Sequence, residues 1–323
     1  MKEIGGYFEL ELRESDLSRV PPGELVNSGR HALEYVICAL GNRVRQIWLP
    51  YYTCDVVLEP IRRCGIIPHF YHINESLEIA DNIELGKNDY IIVNNYFGIK
   101  DEYIYRMASR YKNRLIVDNA QAFYCFPILG TNSIYSPRKF FGLPDGGIVS
   151  STAKFDDKLP EGYSFNRCNH LLKRIDLGAE SGYNDFKSNS RQLTDEPLTG
   201  MSNLTKRLLG SIDFEWVKIK RRSNFETLHS ALASSNKLSI PKLDSFACPM
   251  VYPFLTEEAT DLRKKMISNK VFVATYWPNI LKECNPDSLE FHFANNILPL
   301  PIDQRYGEEE ISLIYSIINN GYK

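Results

Sequence analysis

The chain has 323 residues, of which 43% are hydrophobic and 24% charged, and its formal net charge is −2. This composition is typical of a soluble globular protein with one large domain and a smaller one, and it lacks the basic excess that favours nucleic acid or anionic membranes. No apolar run approaches the roughly 20 residues that cross a bilayer, and the N-terminus lacks the apolar core of a signal peptide. The seven cysteines are scattered without a Cys-x-x-Cys pair, which argues against a metal site or a disulfide framework and predicts a cytoplasmic protein.

Between residues 27 and 150, predicted helices alternate with short apolar strands. Helices are predicted over HALEYVICAL, DVVLEPIRRCG and DEYIYRMASRYK, and strands over QIWLP, IIPHFYHI, NDYIIVNN, RLIVD, SIYS and GGIVSS. This alternation indicates βαβ units and a mostly parallel sheet, with ligands at the carboxyl ends of the strands.

The second half of the chain has a different pattern. Residues 153–200 are rich in Gly, Asn, Ser and Asp, which predicts a long irregular connection. From Met201 an amphipathic pattern predicts one long helix, or two helices joined near Gly210. A smaller α+β unit follows from Pro241, with strands near MVYPFL and VFVATYW and helices over EEATDLRKKMIS and EEEISLIYSIIN. We therefore predict a large domain over 1–204 and a helix with a small C-terminal domain over 205–323.

Three short features carry candidate chemistry, and the first is Ser28-Gly29-Arg30 at the start of a predicted helix. A helix N-terminus offers free backbone N–H groups and a positive dipole end, which suits a phosphate. The alternative is an ordinary Ser N-cap.

The second feature is Asp118, at the end of the apolar strand RLIVD. A carboxylate at this position could face a pyridine nitrogen and keep it protonated, so that the ring accepts electrons. A polar residue at a strand end can also be a simple turn former.

The third feature is Lys139, within SIYSPRKFFGLPDGG at residues 133–147. Aromatic, Pro and Gly residues surround it, and a lysine that is partly withdrawn from water can form a Schiff base with an aldehyde. Most lysines are solvated surface charges, so only the combination of the three features favours this interpretation.

Together these segments resemble the DegT/StrS-type sugar aminotransferases, which are fold type I enzymes that use pyridoxal phosphate (PLP). NSGRHAL is similar to the family's Ser-Gly-Thr-x-Ala-Leu phosphate turn, VDNAQAF to its Asp-x-Ala-Gln/His-Ala segment, and SPRKFFGLPDGG to its Pro-x-Lys loop. LPYYTC, VNNYFG, GMSNLTKRLLGSIDFEWVKIKRR and ILPLPIDQRYGEEEISLI resemble four further family segments in the same order. The resemblance implies an aspartate-aminotransferase-like α/β fold with a mostly parallel seven-stranded sheet, flanking helices and a smaller C-terminal α+β domain.

The resemblance also implies a function for individual residues. Lys139 would form the Schiff base with PLP and then move a proton between substrate and cofactor. Asp118 would pair with the pyridinium nitrogen, and Gln121 would hydrogen-bond the phenolic oxygen or pack beside the ring. The phosphate would be held by Ser28, Gly29, Arg30 and Ser136.

Several positions depart from the family pattern. Arg30 replaces a Thr, and its side chain could contact the phosphate or point to solvent. Cys54 occupies the position of the aromatic residue that stacks on the cofactor ring; Tyr52 or Tyr51 could cover the ring instead, or both could be packing residues. Residues 198–201 lack the family's Asn-x-Arg-Met, whose Asn reaches the neighbouring subunit's phosphate, so that contact is supplied elsewhere, for instance by 183–191, or binding differs.

The function implied by the resemblance is transfer of an amino group, expected from glutamate, to a keto sugar that is expected to be nucleotide-linked, in polysaccharide or secondary-metabolite biosynthesis. A homodimer with shared active sites is implied as well. Two alternatives remain open: a PLP enzyme with another acceptor or reaction, and a non-catalytic PLP-fold protein that binds or senses a ligand.

Overall fold

The computed structural model describes residues 4–13 and 16–320. The strands are β1 (Glu24–Val26), β2 (Gln46–Pro50), β3 (Ile67–Tyr71), β4 (Asp89–Asn94), β5 (Leu115–Asp118), β6 (Asn132–Tyr135), β7 (Gly147–Ser150), β8 (Val251–Leu255) and β9 (Ile297–Pro301). The α-helices are α1 (Gly29–Leu40), α2 (Leu58–Arg63), α3 (Asp101–Tyr111), α4 (Asn169–Leu177), α5 (Ala179–Asp195), α6 (Asn203–Gly210), α7 (Phe214–Leu232), α8 (Ala259–Ser268), α9 (Ile280–Glu283), α10 (Leu289–Asn296) and α11 (Glu308–Asn319). No helix among these residues is long and apolar enough to cross a membrane.

The central sheet has seven strands in the order β1-β7-β6-β5-β4-β2-β3. Strands β2 to β6 pair in parallel, whereas β7 is antiparallel to both of its neighbours. The predicted mostly parallel seven-stranded sheet is therefore confirmed.

Alternate residues of the central strands point to opposite faces of the sheet, as strand geometry requires. On β4, Ile92 packs into the cluster that contains α1, whereas Ile91 and Val93 pack into the larger cluster that also contains α3, α7 and the C-terminal elements. Both faces of the sheet are thus covered, which explains why β4 and β5 are continuous apolar runs.

The C-terminal unit contains a two-stranded antiparallel sheet in which β8 pairs with β9. The prediction of a strand over VFVATYW, residues 271–277, was wrong. These residues are irregular, because β8 takes its partner from residues 297–301 and leaves the 271–277 segment free to approach the sheet's carboxyl edge. Alternation alone therefore misassigned the segment.

The prediction that residues 153–200 are irregular throughout was also wrong, because α4 and α5 lie within them. Gly, Asn and Ser are weak helix formers, but tertiary contacts hold α5 in place. Leu193 is fully buried, and Nδ2 of Asn189 donates to the carbonyl oxygen of Pro144 at 2.8 Å. Gly178, with φ of 84°, forms the junction between the two helices.

Two helices, not one, follow Met201, and each begins at a side-chain cap. Ser202 Oγ accepts from the N–H of Thr205 at the start of α6, and Asp213 accepts from the N–H of Trp216 at the start of α7. The break lies just after Gly210. The division into domains near residue 205 stays a prediction.

Candidate functional site

A cavity of about 300 Å³ lies at the carboxyl ends of the parallel strands. Eight of the nine predicted site residues line it: Ser28, Gly29, Arg30, Cys54, Asp118, Gln121, Ser136 and Lys139. They come from the start of α1 and from the segments after β2, β5 and β6, which the parallel topology brings to one edge of the sheet.

Ser28 is the N-cap of α1, and its hydroxyl already donates a hydrogen bond within the protein. His31 Nε2 lies 2.9 Å from the carbonyl oxygen of Glu196, which can only accept, so this nitrogen carries the ring proton. Burial lowers the pKa of His31 to about 4 and keeps the ring neutral. The Ser28 hydroxyl therefore donates to Nδ1 at 2.7 Å. Gly29 and Arg30, in the first turn of α1 where backbone N–H groups lack intrahelical acceptors, line the cavity.

Gly29 brings the start of α1 into contact with the lysine loop. A Cβ atom at Gly29 would lie 3.0 Å from Cβ and 3.3 Å from Oγ of Ser136. Only a residue without a side chain allows this approach, which places the helix N-terminus and the Ser136 hydroxyl on one side of the cavity.

The side chain of Arg30 takes neither of the two predicted positions. Its Nη1 forms an ion pair with Glu59 Oε2 at 2.5 Å and donates to the hydroxyl of Thr194. The side chain is only 12% exposed, so the expectation of an Arg30 that points to solvent was wrong, and its charge is already neutralised by Glu59.

Asp118 ends β5 at the base of the cavity. Its Oδ1 accepts from the N–H of Ala120 at 2.8 Å. Burial raises the pKa of this carboxyl, while the nearby positive charge of Lys139 and the Ala120 hydrogen bond act in the opposite direction. A half-buried carboxylate with one internal donor is suited to a cationic partner.

Gln121 presents an unpaired donor. Its Oε1 accepts from the N–H of Phe97 at 2.8 Å, which fixes the orientation of the amide. Its Nε2 is buried and has no partner among the described residues. A buried unpaired amide costs free energy, and a ligand oxygen in the cavity would remove that cost.

Lys139 lies at the junction of the 300 Å³ cavity and two larger ones of about 590 and 600 Å³. The next carbonyl oxygen, that of Phe140, accepts from Arg221 Nη2 at 3.2 Å and from Gln304 Nε2 at 3.0 Å. Lys139 itself is exposed, so its amine can approach ligands from more than one side while its backbone is held.

The Asp-Gly-Gly end of the lysine loop is anchored to α6. The Asp145 carboxylate accepts from the hydroxyls of Ser202 and Thr205, the former at 3.2 Å. Asp145 is thus a positioning residue for the loop and does not line the 300 Å³ cavity.

The aromatic residues of the cavity are not the ones predicted. Tyr52, which could cover the cofactor ring or be a packing residue, is 0% exposed and packs against Tyr96, Trp277 and Phe293. It is a core residue outside the cavity. Trp277 and Phe186 supply the aromatic surface instead, and Cys54 lines the wall with its thiol pKa raised by burial.

Sequence reasoning missed several residues of the wall. They include Thr53, Asn94, Arg138, Phe186, Ser190 and Leu193. Arg138 could have been predicted from the sequence, because it directly precedes Lys139. Phe186 and Ser190 lie in the 183–191 stretch that was one suggested source of a replacement contact, and here they come from the same chain.

No family model matches this sequence, and no curated protein matches it by sequence. Solved structures do match it. A DegT DnrJ EryC1 StrS aminotransferase from Brucella abortus is 17% identical with a TM-score of 0.60, over 93% of this chain and 86% of that one. NtdA from Bacillus subtilis, with bound PMP, is 15% identical with a TM-score of 0.61, over 93% and 74%. DesI in the presence of its TDP-sugar product is 16% identical with a TM-score of 0.61, over 94% and 81%. The chain therefore has the α/β fold that these three structures share.

Proposed function

We propose that this protein is a PLP-dependent aminotransferase that transfers an amino group, from glutamate, to a nucleotide-linked keto sugar. One observation carries the proposal: a lysine, a half-buried strand-end carboxylate and a helix N-terminus converge on one cavity in a fold shared with aminotransferase structures. Each group alone has an ordinary structural explanation, whereas their convergence matches the three parts of PLP that a protein must hold.

The residues present fit this cofactor. Gln121 Nε2 is an unpaired buried donor at the cavity wall, Asp118 is an acceptor at the base of the cavity, and glycine at position 29 lets the start of α1 approach Ser136 closely. Trp277 and Phe186 offer apolar surface to a ring. When bound, PLP supplies an aldehyde and an electron-accepting ring.

The protein's part is binding, orientation and proton transfer. Asp118 would hold a proton on the ring nitrogen, and Gln121 would donate to the oxygen next to the aldehyde. Lys139 Nζ would take and return the proton at the substrate carbon, because it borders both the 300 Å³ cavity and the 590 Å³ cavity. The Phe140 carbonyl contacts keep its backbone in place.

A spectrum of the purified protein tests the proposal. We expect a visible band from lysine-bound PLP, its loss on addition of glutamate, and its absence in Lys139→Ala. Lys154→Ala is the control, since Lys154 is exposed outside the cavity. Retained PLP with no spectral response to any amino donor would favour a binding protein over a transaminase.

The 590 Å³ cavity supports the choice of acceptor. It is lined by five basic and three acidic residues and by three aromatic rings. The basic residues are Lys139, Arg174, Arg221, Lys270 and Arg305, the acidic ones Glu180, Asp303 and Glu310, and the rings those of Phe272, Tyr276 and Tyr306. Arg305 is already paired with Asp303 at 2.6 Å, whereas Arg174 and Lys270 can approach an anionic ligand. The diphosphate of a nucleotide-linked sugar has the complementary charge.

Product analysis by mass spectrometry tests the acceptor. Incubation with a nucleoside diphosphate keto sugar should replace one oxygen by nitrogen, and the free sugar should react much more slowly. Equal rates for both would contradict a nucleotide-linked substrate, and loss of a hydroxyl would indicate another PLP reaction.

We also propose a homodimer. Apolar side chains are exposed on α4, with Ile175 at 80% and Leu172 and Leu177 above half. Tyr7 and Phe8 near the N-terminus are exposed as well. Exposed apolar clusters of this kind favour protein contacts. Light scattering should give twice the mass of one chain, and Ile175→Glu should reduce it; a monomer at all concentrations would contradict the proposal.

A further inference from the structure

Two arginines line the 300 Å³ cavity, Arg30 and Arg138, and the charge of a third, Arg167, acts on Arg138; Arg30 and Arg167 have acidic partners. Arg30 pairs with Glu59 at 2.5 Å, and Arg167 pairs with Glu196 at 2.8 Å. Arg138, between Pro137 and Lys139, forms no ion pair within the described residues. Its Nε is buried and has no hydrogen-bond partner there either.

Arg138 lies in the same cavity as the residues that are predicted to donate hydrogen bonds to the phosphate. It lines the cavity together with Gly29, Arg30 and Ser136. Gly29 and Ser136 are in direct proximity, as the 3.0 Å approach at Gly29 shows. The first turn of α1, the Ser136 hydroxyl and the Arg138 guanidinium thus belong to one cavity, and together they are a donor set suited to a phosphate dianion.

The guanidinium of Arg138 forms no ion pair among the described residues, although the Asp145 carboxylate is near enough to raise its pKa. Burial lowers the pKa of Arg138 to about 10, and the positive charges of Arg30 and Arg167 act in the same direction. Asp145 opposes this effect more strongly than either arginine adds to it; its Oδ1 accepts from Ser202 and Thr205, and its Oδ2 has no hydrogen-bond partner among the described residues. An unpaired buried cation is costly to a folded protein, and an anion bound beside it would offset that cost.

We propose that Arg138 is the cationic ligand of the cofactor's phosphate, in place of the Arg30 side chain that the sequence suggested. This inference rests on the proposed function and adds a charged residue to its binding site. The Arg138 side chain would also supply, within one chain, part of the phosphate contact for which residues 198–201 lack the expected asparagine.

Comparison of PLP with pyridoxal, which lacks the phosphate, isolates this contact. We expect Arg138→Met to raise the Kd of PLP by about 10- to 100-fold, the effect of one charge-assisted hydrogen bond. The Kd of pyridoxal should change less than about threefold on the same scale. Arg138→Lys should lie between, since it keeps the charge but not the fork of donors. Arg62→Met, which removes an exposed charge on α2, is the control and should leave both constants unchanged.

The outcomes separate the two proposals. Equal losses for PLP and pyridoxal would mean that Arg138 only supports the loop, for instance as the counter-ion of Asp145, and would overturn the inference alone. An unchanged Kd for PLP in Arg138→Met would do the same. If the wild-type protein bound no PLP, the proposed function would fail, and this inference with it.

Discussion

The guanidinium of Arg221 donates to the carbonyl oxygen of Phe140 at 3.2 Å, one residue after Lys139. The same guanidinium donates to the Met250 carbonyl at 2.9 Å and to Gln304 Oε1 at 3.0 Å. Arg221 therefore connects the lysine loop of the large sheet to the segment that begins β8 and to the C-terminal loop that follows β9. The position of Lys139 depends on a residue of α7 that does not touch the 300 Å³ cavity.

Replacement of Arg221 should destabilise the protein. Arg221→Met removes the donor to the Met250 carbonyl and to Gln304 Oε1 and leaves the Phe140 carbonyl with Gln304 Nε2 alone, so we expect the free energy of unfolding to fall by about 2–4 kcal/mol. Arg221→Lys should lose less of the free energy of unfolding but should not restore the wild-type value. An ammonium group cannot reach all three acceptors that the forked guanidinium of arginine contacts. Urea unfolding gives the values. Arg222→Met is the control on the same helix, and a loss as large as that of Arg221→Met would contradict this account.

Gly29→Ala should lower the free energy of unfolding, whereas replacement of a helical glycine by alanine ordinarily raises it. Alanine normally stabilises a helix by roughly 1 kcal/mol, but here its Cβ would lie 3.0 Å from Cβ of Ser136. We expect a net destabilisation and weaker PLP binding. The double variant Gly29→Ala, Ser136→Gly removes the close contact and should recover the free energy of unfolding; no recovery would show that the cause lies elsewhere.

The stability of the protein should depend on His31 between about pH 4 and 6.5. Burial lowers the pKa of folded His31 to about 4, against 6.5 in the unfolded chain. Above pH 6.5 both states are neutral and the stability is complete. As the pH falls toward 4 the unfolded chain binds a proton that the folded protein does not, so about 3 kcal/mol is lost.

Urea unfolding across this pH range measures the effect. His31→Gln should flatten the pH profile, whereas His292→Gln, a control at a partly exposed site, should leave its slope in place. An unchanged slope in His31→Gln would contradict the assignment.

Asp118→Asn should raise the stability of the cofactor-free protein and weaken cofactor binding. Burial raises the pKa of this carboxyl, so its charged form destabilises the cofactor-free protein above that pKa, and the cost vanishes as the pH falls and the group is protonated. At pH 7 we expect Asp118→Asn to raise the free energy of unfolding without PLP, and to weaken PLP binding by about tenfold or more. A loss of stability together with unchanged binding would contradict both parts.

Phe186→Ala should affect the retention of PLP more than the fold. The side chain is 46% exposed yet lines the cavity, so its loss should change the free energy of unfolding by less than about 1 kcal/mol. The rate of PLP loss on dilution should rise several-fold. Leu172→Ala, an exposed residue of α4 outside the cavity, should leave that rate unchanged.

The sequence predicted the sheet well because the sheet depends on local patterns. Apolar strands such as RLIVD and the residues that follow them determine which side chains reach the carboxyl edge, so that Asp118 and Lys139 line one cavity. Gln121 was named through the family resemblance, and the roles of all three residues stay predictions. Contacts between distant segments were not predictable in this way. The pairing of Arg30 with Glu59 and the burial of Tyr52 against Phe293 depend on how helices pack onto the sheet, which no spacing within one segment records.

The helix α5 was missed for a related reason. Its sequence is rich in Gly, Asn and Ser, and its stability comes from residues elsewhere, through Asn189 with Pro144 and Thr194 with Arg30. Intrinsic propensity is a weak guide where such contacts dominate. The residues that α5 contributes to the cavity wall could not be predicted, because the helix itself was not predicted.

The last turn of α5 is tied to α1 and α2, because Arg30 donates to Thr194 and Arg63 Nη2 donates to the Thr194 carbonyl at 3.1 Å. A ligand between Ser190 and Gly29 would therefore bridge segments more than 150 positions apart in the chain. Its binding should slow amide hydrogen exchange in α5 as well as at the start of α1, since both would open only after the ligand leaves. Amide exchange in α5, a helix of low intrinsic propensity, would then measure most directly whether the ligand is bound.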